Sequence, residues 1–204
     1  MKQEKAISAD PQTNARYRKS GITYDGVHKM YQLQTPCPQQ DLPLKQSKTM
    51  IIKLNINEML VAMYIGSRRQ AESIHRNRKP RFPESVPGEL WGFHIEAAHA
   101  ELAVAKYFGI YWGFHVNTFH TPDIVNTILE VRWSMKPFVK VRPDDTGIVI
   151  SVTGSCPNYE IKGWITAEEA KQEIYLYNKE PICYFVPHTK LHDISKLNLN
   201  KAKQ

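Results

Sequence analysis

A chain of 204 residues, 42% of them hydrophobic, is long enough for one domain of ordinary size and too short for two full ones. No run reaches the roughly eighteen apolar residues that cross a bilayer, and the opening MKQEKAISADPQTN lacks the apolar stretch of a secretory signal, so a soluble cytoplasmic protein with no membrane partner is expected. The net charge of +7 is uneven: residues 1–49 carry eight bases and four acids, residues 50–82 seven bases and two acids, and residues 83–204 twelve bases and fourteen acids. A basic front before a slightly acidic body suits a polyanion-binding arm beside a cation-holding site, although a charge run is also what a solvated face looks like. Cys37, Cys156 and Cys183 form no CxxC pair, which argues against both a disulfide framework and a thiolate zinc site.

In chain order, residues 1–49 are rich in Gln, Pro, Ser, Thr and Lys with dispersed apolar positions, and read as an irregular or disordered extension. At Met50 the texture changes. MIIKLNI alternates like a short strand, and Asn57 is positioned to cap a helix through EMLVAMYIGSRRQAESIHRN. That helix is apolar early and basic late, so residues 50–82 read as a basic helical arm. Arg68, Arg69, Arg76, Arg78, Lys79 and Arg81 are its candidate nucleic-acid contacts, because neutralising backbone phosphates releases counterions and gives salt-dependent affinity. The segment PRFPESVPG, with three prolines and a glycine, ends the helix and reads as a linker.

A second helix is expected from Glu89 to Gly109, whose missing Cβ suits a helix stop, with five alanines between Ala97 and Ala105 permitting close approach to a sheet. Four strand candidates follow, YWGFHVNTF, TILEVRW, FVKVR and GIVISVTG, separated by turn formers and read as a meander. Tyr159 to Trp164 adds a strand, Thr166 caps a short helix in AEEAKQEI, and ICYFVP closes with a buried-type strand. This order predicts a mixed α/β (α+β) domain, a central mixed sheet flanked by helices over residues 83–204, preceded by the basic helix.

The chemistry concentrates in TPDIVNTILEVRW. Side chains alternate along a strand, so Glu130 and Arg132 share one face and Val131 points to the other. If the chain folds back between Asp123 and Glu130, two carboxylates converge, and hard oxygen ligands with room for water are what Mg²⁺ prefers. The plain structural reading is an edge strand with its polar face in water. Tyr111, Trp112, Trp133 and Trp164 read as core or rim packing rather than base platforms.

The literal Pro-Asp, a gap and then Glu-Val-Arg, behind an alanine-rich helix containing Glu101, resembles the PD-(D/E)XK superfamily of restriction-endonuclease-like nucleases. More narrowly, GSRRQ, HIEAAHAELAVAKYFGIYW, VNTFHTPDI, EVR, VRPDD, GWITAEEAK and YFVP look like a set of uncharacterised phage and prophage proteins of that superfamily. The likeness leaves residues 1–49 outside it. It implies an endonuclease-like core at residues 83–204 and a Mg²⁺ (or Mn²⁺) site held by Asp123 and Glu130, with the Val131 carbonyl as an extra ligand. It also makes Glu101 the supporting helix acid, with Glu96 as its rival, and implies a DNA substrate and a homodimer among the expected assemblies. For a phage-encoded chain the compartment is the host cytoplasm. One residue departs from the pattern: the superfamily's usual lysine is Arg132, which stays protonated and so stabilises charge rather than taking a proton from water. The functional expectation is therefore a metal-dependent DNA endonuclease, with an inactive nucleic-acid-binding protein or a virion or assembly component as alternatives.

Overall fold

The structure of the chain, a computed structural model, describes residues 50–79, 87–118, 121–177 and 182–199. Every described residue belongs to one compact unit of the chain. The extension read over residues 1–49, Cys37, Arg81 and the prolines at 80 and 83 lie outside the described residues.

Strand β1 (Met50–Lys53) leads into helix α1 (Ile56–His75). The cap is Asn55 and not Asn57: its side chain accepts the Glu58 amide at 3.0 Å while Glu58 accepts the Asn55 amide at 2.6 Å. This reciprocal box satisfies two of the otherwise unpaired amides of a first turn. Helix α2 (Pro87–Phe108) stops where Gly109 takes φ +63°, a left-handed residue that only glycine adopts at no steric cost. The two helices pack tightly, because Gly66 leaves no side chain between them; a Cβ there would come within 2.5 Å of the Ile95 Cα.

The strands are β2 (Leu129–Trp133), β3 (Phe138–Val141), β4 (Ile148–Ser155), β5 (Asn158–Thr166), β6 (Leu176–Tyr177) and β7 (Cys183–Pro187), with the short helix α3 (Ala167–Ala170) after β5. Thr166 caps α3 with a second capping box, closed by Glu169. The fold is mixed α+β with two sheets. The larger has the order β1-β5-β4-β2 and the smaller the order β3-β7-β6.

The expected meander does not form. β2 runs parallel to β4, and β3 leaves to pair antiparallel with β7 in the smaller sheet. A parallel pair needs a crossover between its strands, and the β3 excursion provides it. The first strand candidate, YWGFHVNTF, is not a strand either. Its described part is irregular, with Phe114 at φ +53° and Asn117 at φ +55°, conformations that no ladder accommodates. The segment read as an arm also belongs to the body, since β1 pairs with β5 and its Ile52 packs against the main core.

Two cores result from the alternation of side chains across the larger sheet. On the helical side, Leu129, Val131, Ile148, Ile150 and Val152 meet Ala98, Ala100, Ala103, Val104 and Ala105 of α2. On the other side Val149 and Ile165 pack with Val139, Val141, Val186 and Ala170. The alanine-rich face of α2 thus lies where its small side chains allow the helix close to the sheet.

Placing alanine at Gly66 gains about 1 kcal/mol of intrinsic helix propensity, yet the clash with the backbone of His94 and Ile95 outweighs it. The expected outcome for Gly66→Ala is a net loss of about 1–3 kcal/mol, the usual cost of overpacking, read from urea unfolding.

Candidate functional site

β2 is an edge strand of the larger sheet. Ile128 and Ser134, on either side of it, bond to β4 through the Ile128 carbonyl (2.9 Å) and the Ser134 amide (3.0 Å). The period of two therefore turns the N–H and C=O of Leu129, Val131 and Trp133 toward the open edge. Side chains of the preceding turn cap two of those amides. Thr127 Oγ1 accepts the Leu129 amide at 3.1 Å, and Asp123 Oδ2 accepts the Val131 amide at 2.8 Å. Asp123 lies in an irregular turn and not at a strand end, and this bond is what lays it alongside Glu130. The Val131 carbonyl, by the same alternation, points to the edge that Asp123 occupies.

Glu130 and Arg132 project to the face of the smaller sheet, opposite Val131, as their pairing with Val149 and Ser151 requires. Arg132 gathers three carboxylates. Its Nη1 donates to Glu130 Oε2 at 3.1 Å and lies 3.9 Å from Asp123 Oδ2, and its Nη2 donates to Asp145 Oδ1 at 2.8 Å. Asp145, in the VRPDD segment, is buried. It accepts the Arg142 amide at 2.9 Å, and Lys171 donates to its main-chain carbonyl at 2.6 Å. Burial works against the Arg132 charge, but Asp145, Asp123 and Glu130 together override it and hold the guanidinium firmly protonated. Burial, reinforced by Asp123, pushes the Glu130 carboxyl up to about 7, with Arg132 pulling the other way.

Glu101 occupies the helical face. Arg69 grips it with both guanidinium arms, at 2.5 and 2.7 Å, and Trp112 Nε1 donates to it at 3.1 Å. Burial and the nearby Asp123 charge push Glu101 up to about 7, while Arg69 and Trp112 oppose the rise. Asp123 thus stands electrostatically between Glu101 on one face and Glu130 on the other. Glu96, the rival helix acid, is engaged elsewhere and accepts the Tyr159 hydroxyl at 2.5 Å.

Comparison with protein-family models, curated proteins and solved structures finds no match for this chain.

The basic residues of α1 and of the stretch just after it divide. Arg69 was expected to contact phosphate, but it is buried, spent on Glu101 and on the His115 carbonyl at 2.9 Å. A guanidinium satisfied from inside has no donor fork left for a ligand, so Arg69 leaves the candidate interface. Arg68 is exposed and lies 5.9 Å over the Tyr64 ring, Lys79 is exposed, and Arg76 pairs with Glu72 at 2.7 Å while staying largely in water. Arg78 is half-buried, 3.9 Å from Glu72.

Sequence reasoning missed Asp145 and Trp112. Asp145 had a faint signal, a second aspartate beyond what a turn requires. The indole of Trp112 had none, since its acceptor lies on a helix eleven residues earlier.

An unfolded glutamate titrates near 4.5, so the folded chain holds an extra proton on Glu130 between about 4.5 and 7, and its stability falls as pH rises through that window. Without divalent cations the melting temperature is expected to be higher at about pH 5.5 than at about pH 8, and Glu130→Gln should reduce the difference. Breaking the internal pair with Arg69→Met should cost about 3–5 kcal/mol by stranding a buried carboxylate. Adding Glu101→Gln to that variant should restore most of the loss in chemical denaturation, and because Glu101 is raised to about 7 as well, Glu130→Gln alone removes only its own share of the pH difference.

Proposed function

We propose that the chain is a divalent-metal-dependent phosphodiesterase that cleaves DNA, built on a core of the restriction-endonuclease type. The observation that carries this reading is the charge imbalance at the β2 edge. Asp123, Glu130 and Asp145 stand around one guanidinium, a formal excess of two negative charges in a half-buried setting. Such an excess is costly unless a cation or protons offset it.

Among the described residues, no group of three or more His, Cys, Asp and Glu side chains stands ready to hold a metal ion. The donor set that suits Mg²⁺ or Mn²⁺ is smaller: Asp123, Glu130 and the Val131 main-chain oxygen, all hard oxygens. Mg²⁺ is commonly held by one or two carboxylates and keeps several waters. Asp123 and Glu130 each spend one oxygen on a hydrogen bond, to Val131 and Arg132 respectively. That leaves each a second oxygen. When bound, the cation supplies positive charge to the phosphate and acidifies water.

The chain's own groups divide the remaining work. Arg132 places permanent positive charge where a phosphate accumulates negative charge, and, being protonated at working pH, it serves as a charge stabiliser and not a base. Asp145 orients that guanidinium. Glu101, clamped by Arg69 and Trp112, fixes the helical wall behind Asp123. Arg68 of α1, with Arg76 and Lys79 just after it, provides sequence-independent phosphate contacts.

A second reading has a specific observation in its favour: Arg132 already pairs with both Glu130 and Asp145, at 3.1 and 2.8 Å. On this reading the guanidinium replaces the cation, and the protein binds DNA without cutting it. A supercoiled-plasmid nicking assay separates the two. The nuclease reading expects nicking that requires Mg²⁺ or Mn²⁺ and falls about 100-fold or more in Asp123→Asn and in Glu130→Gln, the scale of losing a principal electrostatic element. Retained DNA binding with no nicking at any divalent-ion concentration selects the second reading.

A further inference from the structure

Residues 111–117 close over the helical side of the site, and the side chains of Tyr111 and Phe114 play no part in the charge network. Trp112 donates to Glu101, the His115 carbonyl accepts from Arg69, and Asn117 donates to the Arg69 carbonyl at 3.1 Å and to Glu72 at 3.2 Å. The segment is therefore anchored at positions 112, 115 and 117 to α1 and α2. Tyr111, just before the first anchor, and Phe114, between the first two, are 67% and 39% exposed. Their rings meet edge to face at 5.7 Å, and Phe114 also leans on Trp112 at 5.1 Å.

Phe114 adopts φ +53°. For a bulky aromatic residue this left-handed conformation is an outlier that persists only where the surroundings impose it, and such residues gather at ligand sites. Here the imposed conformation leaves the Phe114 ring partly covered by Trp112 and partly open to water beside Tyr111. The same stretch is pinned to the part of α1 around Arg69 and Glu72, where Arg68 and Arg76 are exposed to solvent. Partly exposed aromatic rings on a segment pinned to the basic end of α1 bring together the two elements that engage unpaired bases, rings that stack on bases and cations that follow the backbone.

We infer that Tyr111 and Phe114 form a stacking platform for unpaired bases, so that the substrate of the site is single-stranded or locally opened DNA and not intact duplex. This rests on the DNA-cleaving reading and names its substrate class. The packing reading that composition suggests for Trp112 stands; it is its two exposed neighbours that face the ligand.

The test is fluorescence anisotropy with a fluorescein-labelled homothymidine strand, the same strand built from abasic sites, and a blunt duplex, each titrated with the full chain in EDTA so that nothing is cut. The wild-type chain is expected to bind the thymidine strand about ten-fold or more tightly than the abasic strand, the size of one base stack. Tyr111→Ala and Phe114→Gly should each erase most of that preference and leave duplex affinity unchanged, while Tyr111→Phe should keep it. Phe114→Gly suits the left-handed backbone, so its fold is retained, as circular dichroism will check. Equal affinity for thymidine and abasic strands, or equal losses on strand and duplex in the variants, overturns the platform while leaving the DNA-cleaving reading intact. No affinity for any of the three overturns both.

Discussion

A largely buried guanidinium has to be met by negative charge, and at Arg132 that requirement organises one whole edge of the molecule. Its partners come from three separate places in the chain: the turn before β2, β2 itself and the turn before β4. The parallel pairing of β2 with β4 is thereby locked at the end where the turns lie, and the long excursion through the smaller sheet leaves and returns at a fixed place. Arg132 also carries an unsatisfied element, since its Nε is buried without an acceptor among the described residues. An unmet donor of that kind costs about 1–3 kcal/mol, so the two arms of the guanidinium outweigh what its stem forfeits.

The second arginine does the same for the helices. Arg69 and Glu101 face each other across the α1–α2 seam three residues beyond Gly66, where the helices come closest. The pair is buried and bidentate, and its lone pairs and donors are further occupied by Trp112 and by the His115 carbonyl. A buried ion pair contributes to stability only when its remaining hydrogen-bonding groups are also met, and here the irregular segment after α2 supplies those partners. The segment owes its course to the pair more than to any backbone ladder. Together the two arginines form an alternating series of charge, Glu101 with Arg69, then Asp123, then Arg132 with Glu130 and Asp145, wrapped around a single strand.

Much of this was legible from residue pattern. The strand at Met50, the long α2 with its alanine face and glycine stop, the Thr166 cap and the closing strand at Cys183 all follow local rules of periodicity and capping. So did the shared face of Glu130 and Arg132, which needs only the two-residue period of a strand. What did not show was anything decided by partners far along the chain. FVKVR pairs with β7 rather than with its sequence neighbours because Val139 and Val141 complete a second core with Val149 and Val186, and alternation cannot say which sheet a strand joins. YWGFHVNTF has the composition of a strand, but its hydrogen-bonding and packing groups are claimed by Glu101 and Arg69. Arg69 is indistinguishable in sequence from its neighbour Arg68, and only helical phase relative to α2 sends one inward and the other into water. Asn57 lost the cap to Asn55 because a glutamate three residues on closes the box.

The bond between Asp123 and the Val131 amide has a consequence for assembly as well as for chemistry. An unprotected strand margin offers a row of free donors and acceptors on which another chain can extend the sheet. Here the Asp123 carboxylate and the Thr127 hydroxyl fill that role from within, so the rim is guarded by the group that the proposed chemistry would employ. Substituting that aspartate therefore does two things at once: it removes an acid and bares a template for intermolecular strand addition. Loss of solubility in such a variant is the natural companion of any loss of activity, and the two have to be separated by molecular mass before either is interpreted.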